Sequence, residues 1–253
     1  MKKIGLFILL FNIIYISFAN NHSFKPMLDS AFKAYQKGNY EQCIQYYQKI
    51  EQQGYTSAYM YYNMGNAFFR SNQIAKAILY YERALRLHPS DLDIQHNLQF
   101  ANTFVTDKIT ELPKPFYTNW FNSLINLFSA NLWAWISLIS FLLLLAFIYV
   151  NFLTSIDWLL KAVKISIVLL IIIFSISTIS AYATYHKQVS QNEAIVMADA
   201  LEVKSSPDEK GTTLFVIHEG TKITITDEFE NWVEIRLADG NTGWIKQSDI
   251  EII

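Results

Sequence analysis

Four hydrophobic patterns follow one another along the chain. Residues 4–18 form a 15-residue apolar stretch behind Lys2 and Lys3. From 24 to 105, apolar and aromatic residues recur at helical spacing, with glycines and prolines between the blocks. From Pro115 to Ile156 there is no charged residue, and 132–152 and 165–185 are uncharged apolar runs of equal length. The C-terminal stretch from about 192 changes to short β-branched and aromatic runs, cut by Gly220, the ADG of 238–240 and Gly243. The order predicts a helical domain, two long apolar helices and a small domain of five or six strands.

The first stretch has the form of a secretory signal peptide, 1–19, with a positive start, a short apolar centre and small residues before a cut after Ala19. No cysteine follows it directly, which argues against a lipoprotein signal. The runs 132–152 and 165–185 are each long enough to cross about 30 Å of hydrocarbon, which takes roughly 20 residues. Trp133, Trp135 and Tyr149 sit near the ends of the first, where aromatic rings favour the membrane interface. Nothing else in the chain is large enough to bury two such helices as a core. With residues 21–131 exported, the link 154–163 is cytoplasmic, and Lys161 and Lys164 beside it agree with the positive-inside tendency. The C-terminal domain then lies on the same side as the N-terminal one. Between them, 106–131 reads as a stiff linker, because Pro113 and Pro115 punctuate it.

The helical region repeats itself. Residues 38–50 align with 72–84 at an offset of 34, pairing Tyr40 with Ile74, Cys43 with Ala77, Tyr47 with Tyr81 and Ile50 with Ala84. In the unit 58–91, Gly65 and Ala77 are small where paired helices approach, Tyr61, Phe68 and Tyr81 fill the wedge, and Pro89 ends the second helix. With Met64 and Ala84, these residues resemble the tetratricopeptide repeat, spanning 24–105 as units 24–57 and 58–91 plus a capping helix near 91–105. In that family the first helix of each pair lines a concave face. The resemblance therefore implies a peptide-binding face built from Tyr59, Tyr62, Asn63, Asn66, Phe69 and Arg70, with Phe32 and Tyr35 from the first unit. Asn side chains can hold a peptide backbone, and Arg70 can pair with a carboxylate. At the other end, Leu201, Val203, 205–207 SSP, 218–222 HEGTK, Trp232, Asp239-Gly240 and Gly243-Trp244-Ile245 resemble the bacterial SH3-like domain, over 192–253.

Charge and candidate chemistry narrow the function. Lys plus Arg is 20 and Asp plus Glu is 22, which argues against a polyanion-binding surface and so against nucleic acid. One cysteine, Cys43, allows neither an internal disulfide nor a Cys-based metal site. It occupies the small-residue slot of its repeat, as a buried hydrophobe would. The pair His218-Glu219 lacks the spacing of a zinc site and sits in a β-type run, where Gly220 reads as the turn. None of His22, His88, His96 or His186 has a partner at ligand spacing. No catalytic motif, cofactor site or metal site is expected.

The fold class expected is a multidomain membrane protein: an α-helical tetratricopeptide domain, two transmembrane helices and a C-terminal SH3-like β-barrel. That order, over nearly the full chain, resembles the BatE-type proteins of the Bacteroidota aerotolerance (Bat) operon. The resemblance implies a non-enzymatic scaffold of the cytoplasmic membrane with both modules in the periplasm. It also implies neighbours that are membrane proteins with von Willebrand A domains and a MoxR-type ATPase. The alternative is a cell-wall sensor that binds peptidoglycan peptides through the SH3-like domain.

Overall fold

The computed structural model describes residues 24–253 apart from 111, 114 and 191, so the signal segment read at 1–19 lies outside the described residues. Five helices come first: α1 (Lys25–Gln36), α2 (Tyr40–Gln52), α3 (Ala58–Arg70), α4 (Ile74–Leu87) and α5 (Leu92–Asn102). They form two antiparallel pairs and a following helix. Short polar side chains cap the starts of α3 and α5. Ser57 accepts from the Met60 N–H at 3.2 Å, and Asp91 accepts from the Asp93 and Ile94 N–H groups. The α1–α2 and α3–α4 turns use the same device. Gly38 and Asn72, separated by the repeat offset of 34, both take positive φ, at 77° and 60°. After each, the next residue donates back into its helix, Asn39 to Ala34 at 3.0 Å and Gln73 to Phe68 at 2.9 Å. This is a left-handed helix cap, which Gly adopts freely and Asn tolerates. The first unit thus repeats the local geometry of the second although its sequence matches the repeat less well.

Ala31, Cys43, Tyr47, Ile50, Met60, Met64, Ala77 and Tyr81 are buried together between the pairs. Cys43 is fully buried, and burial pushes its thiol pKa up to about 11. The slot it fills is therefore packing space, with little thiolate at neutral pH.

Three further helices follow. α6 (Phe116–Ile125) stands where the sequence reading placed only a linker. Pro115, read as part of that linker, serves as its N-cap, where a missing N–H costs nothing. α7 (Ala130–Leu153, 24 residues) and α8 (Asp157–Val189, 33 residues) are both long and apolar enough to cross a membrane, with outward faces that are almost wholly exposed apolar surface. Both exceed the runs 132–152 and 165–185. The expected link 154–163 shrinks to three residues, because α8 already begins at Asp157, whose charge suits a helix N-terminus. At ~1.5 Å per residue α8 is about 50 Å long, well over the ~30 Å of a hydrocarbon core. The two helices meet along small and hydroxyl residues. Ser140, Ser177 and Ser180 are buried there, and Ser137 and Thr178 share a hydrogen bond of 2.7 Å. A hairpin of this kind brings its two outer ends, and hence both soluble modules, to the same side.

The C-terminal module is an antiparallel sheet of seven strands: β1 (Glu193–Val196), β2 (Ala200–Lys204), β3 (Thr213–His218), β4 (Lys222–Phe229), β5 (Trp232–Arg236), β6 (Thr242–Lys246) and β7 (Ile250–Ile252). Their order is β3-β2-β6-β5-β4-β1-β7. Register shifts at Val203/Lys204 and Ile225/Asp227 bend the strands around a core of Val196, Val203, Ile217, Ile223, Ile235 and Ile245. The count exceeds the five or six expected because β1 and β7 are short strands of four and three residues, too brief to register as periodic runs.

Candidate functional site: the repeat groove and the module interface

Helices α1 and α3 present the residues named from the repeat pattern on one face. Tyr59 and Phe32 are exposed, Arg70 is exposed at the end of α3, and Tyr35, Tyr62, Asn63, Asn66 and Phe69 are partly buried. Their internal contacts differ in a way that sorts them. Asn66 Oδ1 accepts from the Tyr81 hydroxyl at 2.7 Å and from Asn97 Nδ2 at 3.0 Å. Asn97 Nδ2 also donates to the Tyr62 hydroxyl at 3.0 Å. The carbonyl half of Asn66 is thus committed to the fold. Asn63 Nδ2 donates back to Tyr59 O within its own helix at 2.9 Å. Arg70 Nε donates to the Tyr40 hydroxyl at 3.2 Å, and its guanidinium lies 5.8 Å from the Tyr40 ring centre. Tyr40 in turn packs edge-on against Tyr35 at 5.3 Å. Among the described residues these bonds do not use Asn63 Oδ1, Asn66 Nδ2 or the two Arg70 Nη groups. That set can accept a peptide N–H, donate to a peptide carbonyl and grip a carboxylate.

The pattern missed the third wall. Phe100 and Phe104 of the segment after α4 pack with Phe69 in a three-ring cluster, at 5.6, 5.5 and 5.4 Å between centroids, while staying half exposed. The repeat offset of 34 would have found them. It carries Asn63 to Asn97, Asn66 to Phe100 and Arg70 to Phe104.

The second helix of the unit, α4, is covered instead by the C-terminal module. The Arg86 side chain is only 9% exposed. Its Nη1 donates to the carbonyls of Ser190 at 3.0 Å and Ile253 at 2.6 Å, and its Nη2 pairs with Glu193 at 3.2 Å. Arg83 donates to the Ile252 carbonyl at 2.7 Å. Lys222 bridges Glu82 at 3.0 Å and Glu193 at 3.4 Å. Burial alone would raise the Glu193 pKa, but the Lys222 and Arg86 charges hold it below its ordinary value. Burial pulls Lys222 down, and the two carboxylates carry it above its ordinary value.

His218, read from sequence as the polar end of a hairpin, has a definite partner. Asp107 Oδ2 accepts from the His218 backbone N–H and from the Thr221 hydroxyl, both at 2.7 Å, and Asp107 Oδ1 lies 2.8 Å from His218 Nδ1. Burial would raise the Asp107 pKa, but these hydrogen bonds outweigh it and the net shift is down. The neighbouring turn at Gly220 lies against Val105 and Ile78 of the repeats. Ile195 and Ile253 join the repeat core. Among the described residues no group of three His, Cys, Asp or Glu side chains is close enough to hold a metal ion.

Residues 58–91 match the family model of the tetratricopeptide repeat, and residues 199–251 match that of the bacterial SH3 domain. No curated protein matches the chain. Both matched domain types are non-catalytic interaction domains, so the repeat face and the open faces of the sheet are the candidate functional surfaces.

Proposed function

We propose that this protein is a non-enzymatic adaptor of the cytoplasmic membrane, with both soluble modules in the periplasm, that holds partner proteins during envelope complex assembly. The observation that carries this reading is the docking itself. The SH3-like module covers α4 through Arg86, Arg83 and Lys222, while the groove residues lie on α1 and α3. A repeat face left uncovered on a docked, membrane-anchored pair of interaction modules is suited to hold a peptide segment. The resemblance to BatE-type proteins supports an aerotolerance setting, with von Willebrand A domain membrane proteins as the partner class. The signal-like N-terminal sequence supports the periplasmic side.

Replacing Tyr62, Asn63 and Arg70 together by alanine is expected to abolish cross-linking of the intact membrane protein to the partners that the wild type captures. Asn66 is left in place because it supports the fold. Unchanged capture by the triple variant would rule out the groove. Reporter fusions after residues 110, 158 and 253 are expected to read periplasmic, cytoplasmic and periplasmic in turn. A cytoplasmic signal at 110 or 253 would overturn the orientation.

A further inference from the structure

Helix α6 carries an exposed apolar face that neither soluble module covers. At about 100° per residue, its side chains divide cleanly around the axis. Phe116, Tyr117, Trp120, Phe121, Leu124 and Ile125 occupy one half, and Thr118, Asn119, Asn122 and Ser123 the other. Phe116 is 86% exposed, Trp120 71% and Tyr117 60%. Only the C-terminal end is held. Ile125 is buried, its carbonyl accepts from Trp133 Nε1 of α7 at 2.9 Å, and Phe128 packs on Trp133 at 5.1 Å.

We propose that α6 lies in the lipid headgroup layer as an interfacial helix, with Phe116, Tyr117 and Trp120 inserted at the acyl boundary. Four arguments select lipid over a protein partner or a second copy. Only four residues, 126–129, separate α6 from the membrane-spanning α7, and the Trp133 bond fixes its end at the first turn of that span. The apolar face therefore begins beside the first turn of α7, against the buried Trp133. Its rings are of the type that concentrates at the boundary, with an apolar body and, for Tyr and Trp, a polar tip. The opposite half is small and hydrogen-bonding, as the water side of such a helix requires. Finally, the stretch from Pro115 to Ile156 is uncharged, so insertion strands no ion. The lack of charge also distinguishes α6 from basic surface helices: its contact should not depend on anionic lipid.

The test uses the full-length protein with Cys43→Ala, reconstituted in phosphatidylcholine vesicles. A nitroxide is attached at Trp120→Cys, at Tyr117→Cys and, on the opposite half, at Asn119→Cys. The labels at 120 and 117 are expected to collide readily with oxygen and several-fold less with a water-soluble nickel chelate than the label at 119. Adding phosphatidylglycerol should leave that ratio unchanged. Equal chelate access at 117, 119 and 120 would place the helix in water and overturn the proposal. So would spin–spin broadening at 120 that disappears on dilution with unlabelled protein, since a second copy would then cover the face.

Discussion

Arg86→Ala is expected to release the SH3-like module from the repeats while leaving both folded. Arg86 is the most buried charge at the interface, and it serves three acceptors at once: the Ser190 and Ile253 carbonyls and the Glu193 carboxylate. Removing it takes the donor from both carbonyls and one of two cations from Glu193. Breaking a buried pair from one side costs about 3–5 kcal/mol when the remaining charge is fully enclosed. Glu193 keeps 28% of its side chain exposed and retains Lys222 at 3.4 Å, so about 2–3 kcal/mol is expected here. That is a shift of roughly 30- to 150-fold in the docked-to-undocked ratio, at ~1.4 kcal/mol per tenfold. Distances between spin labels on α2 and β5 should change from one narrow distribution to a broad one. Acid should do gradually what the substitution does at once. Asp107 and Glu193 both have pKa values lowered by docking, so their contribution is full above the ordinary carboxylate range and fades as pH falls through their docked values. Lys222 is raised, so its contribution is full below its ordinary value and fades only as pH rises through the docked one. Docking should therefore be firm from about pH 5 to about pH 10 and loosen below about pH 4. A narrow distance distribution in the Arg86→Ala protein at neutral pH would show that the apolar contacts of Ile195, Ile253 and Gly220 hold the modules unaided.

The interface is also where sequence reasoning stopped. The second repeat was legible because close helix packing demands small residues at fixed places, and Gly65, Ala77 and Pro89 supply them. The spans were legible because lipid demands length and the absence of charge. His218 was legible only as polar, since its partner Asp107 lies 111 residues earlier, in a segment with no pattern of its own. Nothing local in either residue signals the other. Helix α6 was hidden differently: two prolines directed attention to a linker, and ten residues are too few for periodicity to stand out. The residues expected on the repeat face came from family spacing alone. That spacing could also have supplied Asn97, Phe100 and Phe104, but the third helix was read as a cap and its inner face went unexamined. What spacing could not reveal is which groove groups are already committed. Asn66 looks like Asn63 in the sequence, yet its carbonyl serves Tyr81 and Asn97.

Gly65→Ala should destabilise the repeats, and its sign is the decisive quantity. In an open helix the change would stabilise by up to about 1 kcal/mol, because glycine is the poorer helix former. Here a Cβ on Gly65 would stand 2.6 Å from both Cδ1 and Cε1 of Tyr81. Tyr81 is 2% exposed, and the opposite end of its side chain is tied to Asn66 at 2.7 Å. The ring can move away only by breaking that bond or by separating α3 from α4. Forcing a methyl into such a contact costs about 1–3 kcal/mol. Net destabilisation of about 1–2 kcal/mol is therefore expected once the helix propensity gain is set against the overlap. At roughly 4–8 °C per kcal/mol for a domain of this size, the midpoint of helix melting should fall by about 5–15 °C. The effect should reach the groove too, because Tyr81 positions Asn66 and, through Asn97, the Tyr62 hydroxyl. Gly65→Ala should thus weaken partner capture at temperatures where the repeats remain folded. A raised melting midpoint would mean that the helices do not meet as tightly at Gly65 as a tetratricopeptide pair requires, and the assignment of this face as a rigid groove would fall with it.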